Sequence, residues 1–129
     1  MQPITLEYNA DLRGGIGLTA MPTLFAQGDS LAHVIRVRVK NDGEAVDIEG
    51  WNVAAELIRQ DQVTVPLTGQ IVDGAAEVTL ETACYARSGG FTLTVSLQKD
   101  GQTITVFCGR GDVTRTRTDT IIGAVSGNA

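Results

Sequence analysis

Few side chains in this sequence could do chemistry, and they are scattered. The chain has one histidine, His33, and two cysteines, Cys84 and Cys108. His33 lies on the apolar face of "LAHVIRVRVK", so a buried, hydrogen-bonded imidazole or a subunit contact is expected rather than a catalytic base. Ser30 and Asp29 stand beside it in sequence only, which does not make a nucleophile–base–carboxylate set. Each cysteine sits in or beside an apolar segment and reads as a reduced, packed thiol, with a disulfide open if the two segments are neighbours. Two thiols and one imidazole cannot close a four-ligand zinc site without carboxylates. The carboxylate pairs Asp42/Glu44 and Asp47/Glu49 share strand faces near a turn. Their spacing matches no EF-hand loop, and a solvated turn is the plainer reading. No phosphate loop, dinucleotide fingerprint, nucleophile elbow or zinc-protease motif occurs. The chain is therefore expected not to be an enzyme and to carry no cofactor and no metal.

The stretch "FCGRGDVTRTRTD" (Phe107–Asp119) holds the remaining candidates. Arg110-Gly111-Asp112 matches a cell-adhesion tripeptide, but three-residue matches arise freely by chance. Here the glycines read as a bend between two strands. The alternating "TRTRT" run suggests a charged sheet edge or a protein contact. Arg36, Arg38, Arg115 and Arg117 are the candidate partner-contact residues, and they would form one basic face if their strands were adjacent. The formal net charge of −5 opposes a general nucleic-acid role, which needs an excess of Lys and Arg to displace counterions. Trp51 stands alone and reads as a core or interface anchor, since a carbohydrate platform needs paired exposed aromatics.

These residues must be positioned by strands. The 129 residues suit one domain, with 43% hydrophobic and 19% charged residues. Fifteen glycines punctuate short runs rich in Val, Ile, Thr and Leu. Ile4–Tyr8 is a short candidate strand, followed by a glycine loop over Asn9–Gly17. Leu18–Ser30 holds one or two short strands and a turn at Gln27-Gly28-Asp29. In Leu31–Lys40, His33, Ile35, Val37 and Val39 share a buried face, and Arg36, Arg38 and Lys40 a wet one. Asp42-Gly43 marks a turn. Trp51–Gln60 alternates and is expected to pair back onto Leu31–Lys40. Val63–Gly74 and Ala75–Leu80 flank an Asp73-Gly74 turn, and Glu81–Gly90 allows a helical turn. Phe91–Cys108 is the strongest hairpin, turning at Lys99-Asp100-Gly101. A last strand is expected over Asp112–Ile122. The count of seven to nine short strands, with frequent turns, predicts an all-β antiparallel sandwich over residues 1–122 and a flexible tail over 123–129. The N-terminus has no basic and apolar leader pattern, and no run is long enough to span a bilayer, so cytoplasmic synthesis and no membrane partner are expected.

The order of these features resembles a known family. "QGD" (Gln27–Asp29) precedes an alternating strand; "NDGEAVDIEGW" (Asn41–Trp51) forms the next turn; "YARSGGFTLTVSLQKDGQTITVFCG" (Tyr85–Gly109) forms the hairpin; "GDVTRTRTDTII" (Gly111–Ile122) closes the chain. Over about residues 20–122 the pattern resembles the N-terminal domain of the phage baseplate upper protein family, found on accessory head and tail proteins of tailed phages. The resemblance implies an immunoglobulin-like β-sandwich. It also implies a non-enzymatic virion component, such as a head decoration, fibre base or baseplate attachment domain. Such a protein is made in the bacterial host cytoplasm, docks on other phage structural proteins and is expected to form a homo-oligomer. An immunoglobulin-like module binding carbohydrate or a cell surface is the alternative.

Overall fold

A computed structural model describes residues 2–115. Residues 116–122 of the expected last strand, the domain boundary at 122, the 123–129 tail and Arg117 lie outside the described residues. Eleven strand segments and two short 3-10 turns make up the regular structure: β1 Ile4–Asp11, β2 Leu18–Ala20, β3 Phe25–Ala26, β4 His33–Asn41, β5 Glu44–Ala45, β6 Asn52–Ile58, β7 Thr64–Thr68, β8 Gln70–Val72, β9 Ala75–Thr79, β10 Gly89–Lys99 and β11 Gln102–Thr114. They form two packed sheets. The first runs β1-β4-β9-β8, with β5 folded onto the end of β4. The second runs β2-β11-β10-β6-β7, with β3 continuing along β11. The molecule is an all-β sandwich, as the turn spacing predicts.

The sheets are mixed rather than wholly antiparallel. β1 pairs parallel to β4 through eight consecutive positions, and β2 and β3 pair parallel to β11. Parallel neighbours need a long connection. Here the chain leaves β1, crosses to the second sheet for β2 and β3, and returns for β4. β1 is also longer than the Ile4–Tyr8 reading. Its alternation continues through Ala10, with Asn9 and Asp11 outward.

Period-two alternation builds the core. His33, Ile35, Val37 and Val39 of β4 face Val53, Ala55 and Leu57 of β6 and Phe91, Leu93, Val95 and Leu97 of β10 across the sandwich, all buried. β6 does not pair with β4. It lies in the other sheet between β10 and β7. Alternation identifies the buried face of Trp51–Gln60 but not its neighbour, and the Asp42-Gly43 turn is used up by the small β4–β5 hairpin. Three Asp-Gly pairs close hairpins with both residues at positive φ: Asp42-Gly43 (54°, 82°), Asp73-Gly74 (49°, 76°) and Asp100-Gly101 (49°, 80°). This is the mirror-image turn that matches the strands' right-handed twist. Thr82–Tyr85 forms the expected helical turn.

Two positions show why glycine is required without a turn. Gly69 joins β7 in one sheet to β8 in the other. A Cβ there would collide with the Glu77 carbonyl and the side chains of Val53 and Val78. Gly109 and Gly111 lie inside β11, which runs unbroken from Gln102 to Thr114. The expected bend at Gly109–Gly111 does not occur. The irregularity comes earlier, where Val95 pairs with Phe107 but Ser96 pairs with Thr105. Val106 is the extra residue of this bulge, and it resets the phase so that Phe107, Gly109, Gly111 and Val113 all point inward. A Cβ on Gly109 would stand 2.6 Å from the Phe107 ring, and one on Gly111 2.5 Å from the Phe91 ring. The glycines make room for aromatic rings.

Candidate functional site

The Arg-Gly-Asp triplet is thus flat strand, with Arg110 and Asp112 outward and Gly111 inward. A regular central strand does not present the three residues together as a loop would.

The four candidate arginines do not assemble into one face. Arg36 and Arg38 project from the outer face of the first sheet, whereas Arg115 follows β11 in the second. Arg117 lies outside the described residues. On the first sheet, Glu7 of β1, Arg36 of β4 and Glu77 of β9 stand side by side. Arg36 is buried and ion-paired with Glu77. The Arg38 Nε donates to Glu7 Oε1 at 3.2 Å, with both side chains about half exposed. The outer face is therefore a charge-balanced ladder of opposite-sign cross-strand pairs. Lys40 continues it next to the β5 hairpin.

His33 is 2% exposed, and its Nδ1 lies 2.8 Å from the Tyr85 hydroxyl. Its ring packs edge-on against Phe25 at 4.7 Å. Burial lowers its pKa, and the negative charge of Asp29 opposes that shift. Burial likewise raises the Tyr85 phenol. This is the packed, hydrogen-bonded histidine expected. Cys84 and Cys108 are both free thiols, and burial pushes the Cys84 thiol up to about 11. Among the described residues no group of three His, Cys, Asp or Glu side chains is placed to hold a metal ion. Trp51 is half-buried against the core, with Lys99 Nζ 6.0 Å from its ring centre. Asp47 accepts the Glu49 N–H at 3.0 Å in an exposed turn.

Two carboxylates that sequence reading passed over organise loops. Asp11 accepts the N–H groups of Asp42 and Gly43, each at 2.8 Å, and that of Arg13 at 3.0 Å. The Gly43 and Asp42 bonds lower its pKa. Asp61 receives a two-pronged contact from Arg59, Nε at 2.9 Å and Nη2 at 2.6 Å, which brings its pKa down to about 2. Arg59 also donates to the Ala83 carbonyl at 3.1 Å, tying the β6–β7 loop to the 3-10 turn. The only local signal was the Arg-x-Asp spacing.

The outer face of the second sheet differs in chemistry. Ala54, Glu56, Pro66, Thr94, Ser96 and Thr103 line a shallow depression of mixed polar and apolar surface, with Glu56 its one charged side chain. The sheet edges differ too. β7 carries Pro66, while β8, β2 and β3 have three, three and two residues. β1 has eight residues, no proline, glycine or bulge, and pairs with β4 alone among the described residues.

No protein-family model matches the chain, and no curated protein gives a significant match. Among solved structures, the chain is similar to the N-terminal domain of phage TP901-1 ORF48, at 14% identity and a TM-score of 0.49. That alignment covers 91% of this chain and 100% of the other.

Proposed function

We propose that this protein is a non-enzymatic structural component of a tailed-phage virion that works by docking. The observation that carries the proposal is the ordered set of segments Gln27–Asp29, Asn41–Trp51 and Tyr85–Gly109, which resembles the N-terminal domain of baseplate upper proteins. In the folded chain these segments are a turn beside β3, the β4–β5 hairpin with its exit to β6, and the approach to and body of the β10–β11 hairpin. They are sandwich-defining features rather than isolated words.

The partners would be other phage structural proteins and further copies of this chain, met after synthesis in the bacterial host cytoplasm. Docking would use strand edges and the outer sheet faces, by backbone pairing and burial of modest area. The β1 edge and the depression on the outer face of the second sheet support this reading, because among the described residues neither is closed by a long neighbouring strand or crowded with like charge. Mass spectrometry of purified particles from the source phage tests the role. Peptides of this chain at stoichiometric abundance are expected, and their absence from intact particles would defeat the proposal.

A further inference from the structure

We propose that β1 is the contact strand for a second copy of this chain, pairing antiparallel to its counterpart about a two-fold axis at Leu6. The proposal rests on the docking reading only in taking a strand edge as the contact.

Ile4 N–H donates to the Ala32 carbonyl at 2.8 Å. In a parallel ladder alternate residues bond the same neighbour. Ile4, Leu6, Tyr8 and Ala10 therefore satisfy β4, and Thr5, Glu7 and Asn9 direct their N–H and C=O groups at the edge that is unpaired among the described residues. Such an edge is a pairing template, and sandwiches guard their edges with proline, shortness, bulges or cover. Among the described residues, the other sheet edges are short or carry Pro66. β1 is regular for eight residues, and its outward side chains Thr5, Glu7 and Asn9 are exposed.

The register follows from charge and apolar exposure. An axis at Glu7 would set two carboxylates opposite one another. An axis at Tyr8 would need Asp11, which is engaged with the β4–β5 turn and lies beside the chain at Gly15–Gly17. An axis at Leu6 uses only residues 3–9. It places Thr5 opposite Glu7 of the second copy and Leu6 opposite Leu6. It also covers Ile4, an inward-facing residue left 44% exposed at the sheet corner, with Tyr8 of the second copy. The two first sheets would then join into one continuous sheet. The small contact defines a weak dimer that gains strength where copies are held together.

Sedimentation equilibrium of the purified chain is the test, with Thr5→Glu, Thr5→Lys and Asn9→Glu as variants and thermal melts to confirm folding. A concentration-dependent dimer is expected. Thr5→Glu creates two like-charge confrontations per dimer and weakens it roughly tenfold; Thr5→Lys tightens it by a similar factor. Asn9→Glu, which faces only Pro3 of the second copy, leaves it unchanged. A monomer mass up to about 1 mM, the weak limit of association, overturns the proposal. So does a dimer insensitive to Thr5→Glu, or one weakened equally by Asn9→Glu. Neither result bears on the particle composition, so the two proposals fail separately.

Discussion

Replacing Gly111 with alanine puts two opposed effects in direct competition. A glycine inside a strand loses more backbone freedom on folding than any other residue, so Gly→Ala at an open position with ordinary φ stabilises by about 0.4–1 kcal/mol. Gly111 has no positive φ, so backbone strain does not enter. What decides the sign is the Phe91 ring. The new methyl carbon would stand 2.5 Å from Cζ, 2.9 Å from Cε2 and 3.2 Å from Cε1. Phe91 has little room to retreat. It is 4% exposed and packs edge-on against Phe25 at 5.3 Å. Inserting a methyl group into a filled site costs about 1–3 kcal/mol, which exceeds the entropic gain. Gly111→Ala is therefore expected to destabilise by about 1–2 kcal/mol net, read as a lower urea midpoint at constant m-value. Phe91→Leu in the same chain provides the control. It removes the ring atoms that collide, so the double variant should be more stable than the sum of the two single losses predicts, by about 0.5–3 kcal/mol. A neutral or stabilising Gly111→Ala, or strictly additive losses, would refute the view that β11 uses glycine to seat aromatic rings.

Three further outcomes follow from the titrating groups. The folded-state pKa of His33 is lowered, so the unfolded chain binds more protons between the two values; stability is present above about pH 6.5 and declines as pH falls below it. As the sole histidine it should account for the slope in that window, and His33→Gln should flatten a plot of unfolding midpoint against pH there. A slope unchanged by the substitution would assign it elsewhere. For Asp61, carboxyl carbon NMR should show a midpoint near about 2 that moves up toward the ordinary value of 3.8 in Arg59→Ala. Its stabilising contribution is present above the unfolded value and lost as pH falls through the folded one. The Cys84 thiol, raised to about 11 and buried, should resist a disulfide reagent at neutral pH in a Cys108→Ser variant until denaturant is added; rapid native-state labelling would contradict its burial.

Much of the sandwich was legible because alternation and turn chemistry are local. The inward row of His33, the Asp-Gly hairpins and the long final hairpin depend on residues adjacent in sequence. Sheet membership is not local. Trp51–Gln60 shows its buried face plainly, yet whether it neighbours β4 or β10 depends on chain paths elsewhere. Arg36 looks like a solvated charge until Glu77, 41 residues away, closes over it. Gly111 looks like part of a bend because the Phe91 ring that needs its space comes from the other arm of the hairpin, and Gly109 because the bulge that turns the Phe107 ring over it shows only in the pairing of the two arms. The same limit hid the β1 edge. The eight-residue alternation of "ITLEYNAD" can be read directly, but not that its partner is parallel and that its other side is left open.

The placement of the hairpin turns has a use in engineering. β1 begins beside His33, and β11 runs past Phe25, whose ring touches His33, before it ends at Thr114. The first residues of β1 and the last residues of β11 thus lie at one pole of the sandwich. β4 and β10 both start there and run away from it, toward Asp42-Gly43 and Asp100-Gly101. A guest peptide spliced between Asp100 and Gly101 would project from the opposite pole, away from both Ile4 and Thr114.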